Sequence, residues 1–209
     1  MAMAGPHIYF MVGMLACLLG TIPFGPINLT VVKTTVDYDR RRGTEVAVAA
    51  AIVEIFEALI AISFGMVISS FLESNSLLKL LLAAVFIALA VFIFTRKPRP
   101  TLQDNRDEQQ SFFRKGLLIA ALNPQAVPFW IFALATISQN VIFEYEGIYL
   151  LAFLAGVFLG KMIALYGFVL GSHYLKTHLA ESSLLVNRIL AGVLLFIGLS
   201  QLYGALPLA

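Results

Sequence analysis

Charge is scarce in this chain. Asp, Glu, Lys and Arg make up 12% of its 209 residues, against about a quarter in an ordinary soluble domain, while 60% are apolar. That composition excludes a water-soluble fold. Cysteine is represented by Cys17 alone, which rules out an internal disulfide framework and any metal site built only of cysteines. The histidines His7, His173 and His178 are poorly spaced for a shared ligand and no carboxylate cluster joins them, so no haem or metal cofactor is expected. A formal net charge of +2 is too small to indicate a nucleic-acid partner. No nucleophile with a base and an orienting group can be assembled, so the chain is not expected to be an enzyme. No Lys or Arg precedes Lys33, so the apolar start lacks the charged region of a signal peptide and reads as a membrane span.

What the chain has instead is hydrophobic length. Six stretches approach the roughly 20 residues that a spanning helix needs, near 8–33, 45–71, 77–95, 116–137, 147–172 and 186–206. All six are expected to be helical, because backbone polar groups in lipid must be satisfied internally and the alternating segments of a membrane barrel are missing. The expected fold is an all-α integral membrane protein, one membrane domain over 1–209. The connections after the first, third and fifth spans hold every basic residue except Lys79 and Lys161. By the positive-inside rule that face is cytoplasmic, and both termini lie outside. The segment 96–115, with Pro98, Pro100 and the polar run from Gln103 to Gln110, reads as a cytoplasmic linker. It separates repeat one (1–95) from repeat two (116–209). Each half holds an odd number of spans, so the second enters the membrane in the opposite sense, as in an inverted repeat. A faint echo agrees with this: Val53-Glu54 followed by Gly65 resembles Gly160-Lys161 followed by Gly171.

Two spans break the rules of a plain bundle. The first contains Gly20-Thr21-Ile22-Pro23-Phe24-Gly25-Pro26-Ile27-Asn28, and the fourth contains Asn123-Pro124-Gln125-Ala126-Val127-Pro128. Proline inside a helix removes an N–H and clashes with the preceding turn, at about 3 kcal/mol. Broken helices in matching places of two halves point to a binding site near the midplane, and Asn28, Asn123 and Gln125 offer donors and acceptors beside the breaks. Ordinary proline kinks are the alternative.

These residues also resemble a family. Pro23-Phe24-Gly25-Pro26-Ile27-Asn28, then Arg41-Arg42-Gly43, then Lys115-Gly116 and Asn123-Pro124-Gln125-Ala126 are similar, in order along the whole chain, to the lysine exporter (LysE/RhtB) family of amino-acid efflux proteins. That family usually shows Pro-Gly-Pro-Asn in the first helix and Asn-Pro-Lys-Ala in the fourth. Here Phe24 replaces the first proline of the triplet, Ile27 is inserted before Asn28, and Gln125 stands where lysine is common, which places the chain on a distant branch. The resemblance implies a secondary transporter in the bacterial cytoplasmic (inner) membrane. It implies export of amino acids or similar small polar metabolites, driven by a proton or ion gradient, with alternating access between the two repeats. The expected substrate site comprises Pro23, Gly25, Pro26, Asn28, Asn123, Pro124 and Gln125.

Charges within the spans sharpen the expectation. Glu54 and Glu57 fall in span two and Lys161 in span five, where each costs at least about 2.5–3.5 kcal/mol at bilayer depth. Glu54 shares a helical face with Ala47, Ala51, Ala58, Ala61 and Gly65, so it should point into protein. Lys161 borders a second small-residue stripe, Ala152, Gly156, Gly160, Ala164, Gly167 and Gly171, and the two stripes suggest that spans two and five meet. Lys161 is expected to pair with Glu54 or Glu57, leaving the other carboxylate free to load and release a proton. A purely structural ion pair is the alternative. Gly156 and Gly160 fit a small-xxx-small pattern, read mainly as intramolecular packing although it also admits a homodimer. Trp130, Tyr149 and Tyr203 read as interface or packing aromatics. A metal-ion exporter using Glu54, Glu57, Asn28 and Asn123 is the nearest rival function, and a non-transporting assembly subunit is another. A thiol redox carrier would need a second cysteine.

Overall fold

The computed structural model describes residues 5–22, 25–72, 111–123, 126–138 and 145–176, with individual helical residues between Leu80 and Thr95 and between Arg188 and Leu202. No strand occurs among the described residues. The bounded helices are α1 (Pro6–Thr21), α2 (Pro26–Asp37), α3 (Arg40–Leu72), α4 (Phe112–Ala121), α5 (Ala126–Ser138) and α6 (Gly147–Lys176). Within α3 and α6, Arg40–Phe64 and Gly147–Leu175 are each long and apolar enough to cross a membrane. Helices α1 and α2 meet that test only as a pair bent by 75°. The stretches expected as spans at 77–95 and 186–206, and the linker before residue 111, lie largely outside the described residues.

Helix ends depart from the hydropathy pattern where caps act. Helix α3 starts at Arg40, earlier than expected, because Asp39 Oδ1 accepts a hydrogen bond from the Arg42 N–H at 2.8 Å and caps the helix inside a basic run. Helix α4 starts at Phe112, within the segment expected to be linker, where Ser111 Oγ accepts from the Arg114 N–H at 3.5 Å. Helix α6 continues to Lys176, so His173 sits on an exposed helical turn and not in a loop. No proline or glycine lies between Ser172 and Lys176 to stop it.

Helices stop and restart around both stretches expected to be broken, of which residues 23–24 and 124–125 lie outside the described residues. Helix α1 ends at Thr21 and α2 begins at Pro26, with Gly25 as its extended N-cap. Pro26 therefore costs nothing as a helix breaker. It occupies the first helical position, where its missing N–H has no intrahelical role. Helix α4 ends at Ala121, α5 starts at Ala126, and Pro128 falls in the first turn of α5.

Packing places the long helices α3 and α6 together at the centre, and the fragments of the broken helices lean on them. Two apolar cores result. One gathers Cys17, Ala58, Ala61, Trp130, Phe153 and Val157; the other gathers Val31, Val46, Ala50, Ala120, Leu165 and Val169. The outer faces are apolar as well: Phe56, Ile60 and Phe64 of α3 and Leu151, Ile163 and Leu170 of α6 are exposed, as suits a surface turned to lipid.

Glycine sets two of the closest helix approaches. A Cβ on Gly156 would meet the Phe10 carbonyl, and one on Gly160 the Met14 carbonyl, so the glycine stripe of α6 receives the backbone of α1. This differs from the expectation that the stripe faces span two. Helix α3 meets α6 through Ala58 and Ala61 against Phe153 and Val157, while the glycines serve a seam within the chain. A second seam lies between α4 and α3, where a Cβ on Gly116 would stand 2.9 Å from Ala49 Cβ and the Val46 carbonyl. Gly160→Val is expected to destabilise the protein by about 1–3 kcal/mol. Gly167→Ala, directed into open space, is expected to change stability by less than about 0.5 kcal/mol. Thermal unfolding in detergent micelles compares the two.

Candidate functional site

The helical period of α3 puts Glu54 and Glu57 on the face that carries Ala47, Ala51, Ala58 and Ala61, all four fully buried. The carboxylates point inward at the level where one apolar core gives way to the other. Lys161 reaches the same level from α6, between Val157 of one core and Leu165 of the other. Glu54, Glu57 and Lys161 retain only 5%, 7% and 6% exposure.

Lys161 Nζ lies 2.7 Å from Glu54 Oε2, and Trp130 Nε1–H donates to Glu54 Oε1 at 2.8 Å. Both oxygens of Glu54 are thereby engaged. This matters because a buried pair is tolerable only when its remaining polar atoms find partners. Glu57 stands three residues along the same inward face of α3, one helical turn from Glu54. Trp130 is fully buried, stacked edge-on against Phe129 and Phe153. Among the described residues, Glu54, Glu57 and Lys161 form a polar layer enclosed by apolar packing above and below.

The first break connects to this layer. Asn28 Nδ2 donates to the Thr21 carbonyl at 2.7 Å, supplying a partner to a carbonyl that the end of α1 leaves without an intrahelical donor. Thr21 Oγ1 in turn donates to the Cys17 carbonyl at 2.7 Å. The Cys17 thiol, one turn back along α1, is within electrostatic reach of Glu54, Glu57 and Lys161. Hydrogen bonds thus run from Asn28 through Thr21 to Cys17, which packs in the same apolar core as Trp130 and Ala58. At the second break the Asn123 N–H donates to the Ala120 carbonyl at 2.9 Å, closing the last turn of α4.

Of the residues singled out from the sequence, the structure joins Glu54 to Lys161 directly, buries Glu57 on the same face of α3, and ties Asn28 through Thr21 to Cys17. Gly25 and Pro26 cap and open α2, and Asn123 lies at the end of α4. Pro23, Pro124 and Gln125 lie outside the described residues. Sequence reasoning missed Trp130, Thr21 and Cys17. A signal existed for the first: an indole N–H at membrane depth must find an acceptor, and apart from Glu45 at the edge of span two the carboxylates inside the spans are Glu54 and Glu57.

Long apolar helices with ionisable groups buried between them mark a membrane protein with an interior polar site. The family model of the LysE type translocator matches residues 18–205, and the chain belongs to that family. No curated protein and no solved structure matches it. Translocation of a solute across a membrane, and not a covalent reaction, is the work of such a protein.

Lys161→Met leaves two carboxylates facing apolar walls and is expected to cost about 3–5 kcal/mol. Combining it with Glu54→Gln is expected to recover most of that loss. Melting temperatures of the two single variants and the double variant, measured in one detergent, check this coupling.

Proposed function

We propose that the chain is a secondary transporter that exports amino acids or similar small polar metabolites, coupled to a proton or ion gradient. The observation that carries this reading is the buried Glu54–Lys161 pair with Glu57 one turn away on the same helix. In this mechanism Glu57 exchanges a proton with water while Glu54 and Lys161 hold α3 and α6 in register. The substrate binds near Gly25, Pro26, Asn28 and Asn123, with Pro23, Pro124 and Gln125 completing the two junctions. Helix N-termini at α2 and α5 offer N–H groups to a carboxylate, and carbonyls at the ends of α1 and α4 attract an ammonium. A zwitterion suits both.

Packing supports an inverted repeat with alternating access. Helix α1 of the first half leans on α6 of the second, α4 and α5 of the second half lean on α3 of the first, and α2 leans on both α3 and α6. The first two of these contacts are the kind of exchange that a pseudo-two-fold axis between α3 and α6 produces. The apolar cores on either side of the polar layer then act as alternate seals, each parted in turn. At one end, Arg42 lies 5.1 Å from the centres of the Tyr38 and Phe112 rings, bringing Arg40, Arg41 and Arg42 close to Arg114 and Lys115. That basic end is assigned to the cytoplasm of a bacterial inner membrane, with both termini outside. A metal cation as cargo is disfavoured, because both carboxylates of the layer face the Lys161 ammonium.

Proteoliposomes loaded with labelled amino acids or divalent metals, under an imposed pH gradient, test the reading. Release of an amino acid that accelerates with the gradient is expected, and Glu57→Gln is expected to abolish that acceleration. Asn28→Ala is expected to slow release about tenfold, the equivalent of one lost hydrogen bond. The coupling role is refuted if Glu54→Gln and Glu57→Gln both retain the wild-type pH dependence.

A further inference from the structure

Helix α5 is the fragment beyond the second break, and Trp130 ties it to the charged layer. Its indole N–H reaches across to α3 and donates to Glu54 at 2.8 Å, on the oxygen opposite the one held by Lys161. The ring is seated without solvent exposure between Phe129 of its own helix and Phe153 of α6. The bond therefore spans three elements: α5 supplies the donor, α3 the acceptor, and α6 both the counter-ion and one wall of the ring's pocket. A packing aromatic would need only the wall.

We infer that Trp130 is a positioning residue, which transmits the protonation state of Glu57 to α5 through its hydrogen bond to Glu54. The inference rests on the reading of Glu57 as the proton-exchanging group. Glu54 has its oxygens committed to Trp130 and Lys161, and Glu57 stands one helical turn along the same face. A proton arriving on Glu57 from water adds a donor that competes for those oxygens, and the indole bond is the one whose release frees a helix fragment. Ionisable groups near the indole among the described residues are Glu54 and Glu57 of α3, Lys161 of α6 and Cys17 of α1, with Tyr9, Tyr145 and Tyr149 packed into the same core.

Trp130 is the chain's only tryptophan, so indole emission reports on the surroundings of this one ring. The purified full-length protein is titrated from about pH 5 to about pH 9 with emission excited selectively in the indole band. A sigmoidal change in the wild type that Glu57→Gln removes is expected. A flat wild-type profile, or a transition that survives in Glu57→Gln, overturns the inference. In proteoliposomes Trp130→Phe, which deletes the donor and keeps an aromatic ring, is expected to move the half-maximal pH of efflux by about one unit. An unmoved midpoint also overturns it, since loss of packing alone changes the amount of active protein and not its pH midpoint. Should Trp130→Phe not fold, the fluorescence comparison decides. Loss of pH-dependent efflux in Glu57→Gln together with an unmoved Trp130→Phe midpoint rejects the role of Trp130 alone. Retention of that dependence in Glu57→Gln rejects the proton-exchange reading beneath it.

Discussion

Burying charge inside an apolar bundle is the constraint on which this structure turns. Each of Glu54, Glu57 and Lys161 would be costly alone at the depth where it sits, and the penalty falls only when opposite charges meet with their remaining polar atoms satisfied. Meeting that condition fixes a good deal at once. It sets the rotation of α3, so that the alanine face turns inward, and the rotation of α6, so that Lys161 lies between Val157 and Leu165. It also requires a second donor to Glu54, which Trp130 supplies from a helix fragment far along the chain. Water is kept from the layer by apolar packing on both sides, and the low polarity that makes the charges costly is what makes their pairing strong.

The breaks in the helices follow a different logic. A proline in mid-helix is a defect, but at Pro26 the chain restarts its helix on the proline, so the residue that interrupts span one also nucleates α2. Asn28 then reaches back across the gap to the carbonyl of Thr21. A junction built this way is bent and still satisfied, which suits backbone that must stay non-helical at membrane depth.

Much of this was legible in the sequence, and the exceptions are instructive. Three ionisable residues in otherwise apolar runs announce a buried site, and Pro-Gly clusters announce the breaks, because lipid makes both expensive anywhere else. Helix ends were less readable. Asp39 and Ser111 start α3 and α4 within polar stretches, where hydropathy is silent and only a side-chain cap decides. The glycine stripe of α6 was visible as a face, but periodicity names a face and not its partner, and the partner proved to be α1. Trp130 looked like packing because hydrophobicity accounts for the ring and ignores the N–H.

The seam between α1 and α6 bears on how the protein comes to exist. Gly156 and Gly160 receive the backbone near Phe10 and Met14, joining two segments that leave the ribosome well apart in time. Until the later one emerges, α1 has lipid where its neighbour will be, and Lys161 has not yet arrived to meet Glu54. Assembly in the bilayer must therefore be a late, concerted event, and a nascent chain stalled before α6 would present a bare carboxylate to whatever quality-control machinery patrols the membrane.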